Sequence, residues 1–125
     1  MSKLALITGA NRGIGLELTK RLASNGYRVI AWCRQSSQDL QRVENCEVIE
    51  GIELTDQESI QDAVIKIEEE RVDLLINNAG LLERVALEEM GKKELSSIEH
   101  QFKLNAIAPV YITSQLHTKL KRALR

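Results

Sequence analysis

The chain has 125 residues, 43% of them hydrophobic, which suits one globular domain with a core and is too short for two. Seventeen Lys plus Arg against eighteen Asp plus Glu leave a net charge of −1, so no global basic field points to nucleic acid or an anionic membrane surface. The N-terminal apolar run ends at Thr8-Gly9, before either a signal peptide or a membrane span is satisfied, and the expectation is a soluble, cytoplasmic protein.

In chain order, "LALIT" (Leu4 to Thr8) is an apolar run without alternation, as expected of a strand buried on both faces, and a glycine turn follows it. Ile14, Leu18 and Leu22 then form the apolar stripe of a helix that Asn25-Gly26 terminates. "YRVIAWC" reads as a second strand, "SSQDLQRVE" as a short helix, and "CEVIEGIEL" as a third strand interrupted by a glycine. Thr55-Asp-Gln-Glu58 fits a capping box, starting a helix with Ile60, Val64 and Ile67 on its apolar face. The run Glu68-Glu69-Glu70 closes that helix as a solvated face, because carboxylates oppose the dipole there.

"VDLLINNAG" is a fourth buried strand leading into a polar loop. From Ser96 to about Arg122, Ile98, Phe102, Ala106, Thr113, Leu116 and Leu120 suggest one long helix. Strands alternating with helices at this spacing predict an α/β fold with a parallel sheet of right-handed βαβ crossovers. Cys33 and Cys46 form no CxxC and read as inert core thiols. His100 and His117 lack acidic or cysteine partners at ligand spacing, so no metal is assigned. The basic tail "KLKRALR" suits a helix C-terminus and calls for no nucleic-acid partner.

A strand running into a glycine turn and then a helix brings backbone N–H groups and the positive end of a helix dipole to one spot, which favours phosphate. The spacing, Gly9-x-x-x-Gly13-x-Gly15, is neither G-x-G-x-x-G nor a P-loop, since no Gly-Lys-Ser/Thr follows. A turn that needs glycines only for packing is the plain alternative. In a dinucleotide fold an acidic residue at the end of the second strand accepts the ribose 2′-OH of NAD. Here Arg34 stands there, able to pair with a 2′-phosphate through two parallel N–H bonds, which points to NADP. Arg12, inside the turn, approaches the same phosphate from the other side.

"TGANRGIG" (Thr8 to Gly15), "NNAG" (Asn77 to Gly80) and "LNAIAP" with Asn105, in this order and spacing, together resemble the short-chain dehydrogenase/reductases. The resemblance covers essentially the whole chain but only the N-terminal half of what the family needs. It implies a Rossmann-like doubly wound parallel sheet of order 3-2-1-4, truncated before the fifth strand, with residues 1–125 as a single NADP-binding domain. It implies that Gly9, Asn11, Arg12, Gly13, Ile14 and Gly15 cradle the pyrophosphate and adenosine side, and that Arg34 meets the 2′-phosphate. Glu53 and Leu54 fall beside the adenine, with glutamate where the family usually has aspartate. Asn78, Ala79 and Gly80 line the nicotinamide-ribose end, Asn77 supports the sheet, and Asn105 matches the active-site asparagine.

Asn105 also has a reading from its own surroundings. Pro109 lacks the N–H that bonds the carbonyl four residues earlier, a defect of about 3 kcal/mol inside a helix. That carbonyl is Asn105's, and a kink leaves it free to hold a water, the family's proton-relay role for this residue; a kink that only wraps the helix on the sheet is the alternative. The resemblance further requires a serine after a fifth strand and a Tyr-x-x-x-Lys pair. Tyr27 is followed four positions on by Ala31, and Tyr111 by Gln115. The expectations are therefore an NADP(H)-dependent oxidoreductase of a small carbonyl or alcohol without its general acid, a non-catalytic NADP-binding module, or an interaction fragment. The uncovered edge of the fourth strand predicts a homo-oligomer.

Overall fold

The computed structural model describes residues 2–124. Four short strands, β1 (Leu4–Thr8), β2 (Arg28–Trp32), β3 (Cys46–Ile49) and β4 (Leu74–Ile76), form one parallel sheet of order β3-β2-β1-β4. The strand order is the one expected from the sequence. β1 is buried along its whole length because the sheet is covered on both faces, which is why its residues show no polar alternation. One layer packs Leu6, Ile30 and Trp32 against Ile60, Ile112 and Leu116; the other packs Ile7, Val29 and Ala31 against Leu16 and Leu40.

Helix α1 (Gly13–Ser24) follows the glycine turn and ends at Asn25, whose N–H and side-chain amide both donate to the Arg21 carbonyl. Its buried residues are Gly15, Leu16 and Thr19, and Ile14, expected on the apolar stripe, is exposed. The helix rotates this way because Gly15, not Ile14, takes the position pressed against the strand ends. Helix α2 (Gln38–Gln41) is capped by Ser37, whose hydroxyl accepts from the Leu40 N–H at 3.2 Å.

Strand β3 stops at Ile49 rather than continuing to Leu54, and the chain beyond it is stitched to the end of β2: Gly51 N–H donates to Arg34 O and Ile52 N–H to Cys33 O. Helix α3 (Gln57–Ile65) is capped by Asp56, which accepts from Glu58 N–H at 3.1 Å; Thr55, the expected cap, turns its hydroxyl to Glu53 instead. The helix also ends before Glu68, so the acidic run lies in the connection to β4. Glu69 there pairs with Arg28, while Lys119 donates to the carbonyls of Ile67 and Glu69. The basic tail thus tethers this connection; Arg125, its last residue, lies outside the described residues.

The single long helix expected from Ser96 is four pieces starting earlier: α4 (Lys92–Phe102), a π-helical turn at Lys103–Ile107, α5 (Ala108–Gln115) and α6 (His117–Arg122). Pro109, near the start of α5, breaks the regular ladder, and Ala108 N–H reaches back five residues to Lys103 O. The change in phase alters the buried face. Ala108, Ile112 and Leu116 enter the core, whereas Ile98 and Phe102 are exposed.

Candidate functional site

The glycine turn owes its shape to close approach. Gly9 sits at φ 65°, in the left-handed region, and a Cβ on it would lie 2.9 Å from Ala79 Cα. A Cβ on Gly15 would collide with the Gly9 carbonyl oxygen and with the Asn78 side-chain amide. At Gly13, φ 57°, nothing stands within 4 Å of the corresponding position, so the turn is open on that side.

Asn78 is the brace beneath the turn. Its Nδ2 donates to the carbonyls of Thr8 at 3.1 Å and Gly9 at 3.0 Å. Thr8 answers in kind, its hydroxyl accepting from the N–H groups of Asn78 at 3.1 Å and Ala79 at 2.9 Å. The carboxyl ends of β1 and β4 are thereby tied to each other. At the start of α1, Arg12 is extended and no side chain caps the helix, which leaves the amide end of a twelve-residue helix to face the opening.

A cleft of about 810 Å³ runs along the carboxyl ends of β1, β2 and β4. Gly9, Asn11, Arg12, Gly13, Ile14 and Gly15 line its floor, Arg34, Glu53 and Leu54 one end, and Asn78, Ala79 and Gly80 the other. All twelve candidate binding residues therefore share one cleft. Trp32, Cys33, Gln35, Ile52, Leu81, His100 and Leu104 also line it. They carry no local motif; Ile52 and Trp32 resemble any core apolar residue, and only the tertiary arrangement brings His100 and Leu104 to the rim.

Asn105 does not line the cleft. Its side chain is fully engaged with the backbone of Leu81, Nδ2 donating to the carbonyl at 2.7 Å and Oδ1 accepting the N–H at 2.8 Å. It sits in the π-helical turn and clamps the loop after β4, immediately behind Gly80. Asn77, expected to support the sheet, reaches Thr113 on α5 at 3.5 Å.

At the other end, Arg34 Nε lies 3.6 Å from Glu53 Oε2, and the arginine side chain is 78% exposed. Glu53 Oε1 accepts from the Thr55 hydroxyl at 2.8 Å, and Ser59 Oγ accepts from the Glu53 N–H at 2.9 Å. The thiol of Cys33 is pushed up mainly by burial and then by Glu50, and that of Cys46 is pushed up to about 11, again mainly by burial. Both stay protonated near neutrality, consistent with inert thiols.

Residues 3–124 match the family described as short chain dehydrogenase. The chain is 39% identical over 99 residues to gluconate 5-dehydrogenase of Gluconobacter oxydans, covering 72% of this chain and 38% of that protein. It is 33% identical over 138 residues to retinol dehydrogenase 13 of Homo sapiens, covering 95% of this chain and 38% of that one. An NADPH-bound carbonyl reductase from chicken fatty liver matches with TM-score 0.82 and 31% identity, over 98% of this chain and 53% of that chain. The chain thus spans about half or less of the length of these relatives. With its motifs in order, its 3-2-1-4 sheet and its glycine-floored cleft, the chain belongs to the short chain dehydrogenase family.

Proposed function

We propose that residues 1–125 form one NADP(H)-binding unit of an oxidoreductase acting on a small carbonyl or alcohol. The observation that carries this reading is Arg34 at the carboxyl end of β2, in the same cleft as an uncapped helix start and an open Gly13. A diphosphate needs backbone amides, a helix dipole and room for close approach, and the turn offers all three. A 2′-phosphate needs a cation where an NAD site has a carboxylate, and Arg34 with Arg12 answers that need. The NADPH in the chicken carbonyl reductase supports the same cofactor.

In this reading Gly9, Asn11, Gly13, Ile14 and Gly15 hold the pyrophosphate, Glu53 and Leu54 border the adenine, and Ala79 and Gly80 border the nicotinamide ribose. When bound, NADPH supplies the hydride for carbonyl reduction. Asn78 holds the turn in shape rather than reaching outward, and Asn105 fixes the loop that carries Gly80 and Leu81. We assign Asn105 the role of positioning this loop, with its backbone carbonyl as the candidate water acceptor. No Tyr-x-x-x-Lys pair occurs in the sequence, so proton delivery to the carbonyl oxygen is assigned to no residue among these. A cytoplasmic location and a homo-oligomer belong to the same reading. Among the described residues β4 is an edge strand of the sheet, and the exposed Leu95, Phe102 and Val110 support self-association.

The test is nucleotide binding by calorimetry with wild type and Arg34→Asp, alongside NADPH consumption on a carbonyl panel. The expected result is NADPH bound more tightly than NADH, with that preference lost by about tenfold or more in Arg34→Asp, since charge-assisted hydrogen bonds to phosphate disappear. Equal affinity for both nucleotides in wild type would overturn the NADP assignment. Turnover by this chain would show that a general acid exists outside the Tyr-x-x-x-Lys pattern.

A further inference from the structure

We infer that Glu53 is a built-in competitor for Arg34, an internal carboxylate that stands in for the cofactor's 2′-phosphate and sets how strongly the site prefers the phosphorylated nucleotide. The inference rests on the NADP reading above and deepens it.

Three observations carry it. Glu53 Oε2 faces Arg34 Nε at 3.6 Å, so the arginine already has an anionic neighbour. The carboxylate is not a freely swinging side chain, because Oε1 is held by the Thr55 hydroxyl at 2.8 Å. The backbone beneath both residues is also fixed: Glu53 N–H donates to Ser59 Oγ at 2.9 Å, and Arg34 O accepts from Gly51 N–H at 2.9 Å. An anchored carboxylate and a 78% exposed guanidinium form an asymmetric pair in which the arginine is the member free to move.

The consequence follows from charge. Arg34 alone presents a positive charge to an incoming dianion, whereas Arg34 beside Glu53 presents a dipole, whose attraction falls off faster with distance. The carboxylate also repels the phosphate directly. Against this stands the benefit of holding the arginine in place, which is small for an exposed pair at this distance. Repulsion and competition therefore outweigh tethering. Glu53 weakens the grip on a 2′-phosphate and leaves a nucleotide without one almost untouched, so it lowers selectivity between NADP and NAD. The engagement of Oε1 and Oε2 with Thr55 and Arg34 also draws the carboxylate away from a role as acceptor for the adenine amino group.

The experiment measures 2′,5′-ADP and 5′-AMP affinity by calorimetry on the 125-residue chain. The variants are Glu53→Gln, which keeps shape and removes charge, and Arg34→Ala. Glu53→Gln is expected to bind 2′,5′-ADP about threefold more tightly, with the gain shrinking at high salt. Binding of 5′-AMP changes by less than about half that factor. In the Arg34→Ala background Glu53→Gln gives a smaller gain than in wild type, since only the direct repulsion of the phosphate is then removed. Weaker 2′,5′-ADP binding in Glu53→Gln would overturn the inference in favour of a tether for Arg34. Equal loss for both ligands would overturn it in favour of an adenine acceptor. If wild type does not distinguish the two ligands, the NADP reading itself fails and the inference falls with it; if wild type and Arg34→Ala behave as that reading requires while Glu53→Gln does not tighten, only the inference fails. Far-ultraviolet circular dichroism confirms that each variant is folded.

Discussion

The two walls of the cleft are built by different means. The wall from Leu4 to Trp32 is built on two strands whose residues are buried except Arg28, and at Gly9 and Gly15 its turn leaves no room for a single carbon. The wall from Leu81 to Ile107 contains no buried residue in either α4 or the π-helical turn, and polar pairs hold it: Asn105 to Leu81, and Gln101 Nε2 to Glu83 O at 3.0 Å. The first wall is set by packing and resists change in its strands and at Gly9 and Gly15, with Gly13 and Ile14 open to the cleft. The second is pinned at a few points, so its sensitivity is concentrated in the pins.

This contrast can be broken first at Gly15. Gly15→Ala places a methyl group against the Gly9 carbonyl and the Asn78 amide, where backbone has to move. We expect a loss of about 3 kcal/mol or more in urea unfolding and no measurable NADPH binding. A variant with wild-type stability would show that the packed wall is looser than its contacts imply. Next in size is Asn105→Ala, which removes both hydrogen bonds to Leu81. About 1 to 2 kcal/mol is expected, with faster hydrogen exchange at the Leu81 amide while the β1 amides stay protected. Uniformly faster exchange across the sheet would mean that the two walls are one cooperative unit. Smallest is Phe102→Glu, on a side chain 61% exposed. Stability should move by no more than about 0.5 kcal/mol, whereas self-association in sedimentation should weaken. A wild-type chain that sediments as a monomer at all concentrations would count against the association proposal.

The same division explains what was legible in the sequence. Leu4 to Thr8 reads as a buried strand because apolar content is a local property; the βαβ rhythm gives a parallel sheet, and its order comes from the family resemblance. Of the twelve binding candidates, the glycine turn and the two arginines carry chemical marks of their own, while Glu53, Leu54, Asn78, Ala79 and Gly80 are implied only by the family resemblance; all twelve line one cleft. What failed to show was phase and partnership. Ser96 to Arg122 has helical periodicity throughout, but a π-helical turn before Pro109 shifts which face is buried, and periodicity carries no sign of such an inserted residue. Thr55 and Asp56 are both good caps, and the choice fell to Asp56 because Thr55 was drawn away by Glu53, a partner that only the fold supplies. Asn78 lines the cleft as expected, but its second task as a brace was not legible, since its partners lie about seventy positions earlier.

That brace bears on the order of assembly. The sequence of the turn is complete by Gly15, yet the carbonyls of Thr8 and Gly9 are held by a side chain from the far end of β4. A folding chain must close a loop of that length before the turn is locked, and such closures come late because their entropy is lost before the contacts are made. Competence to grip a phosphate is thus a signal that the fourth strand has docked. Ligand capture during refolding would report the completion of the sheet rather than its beginning.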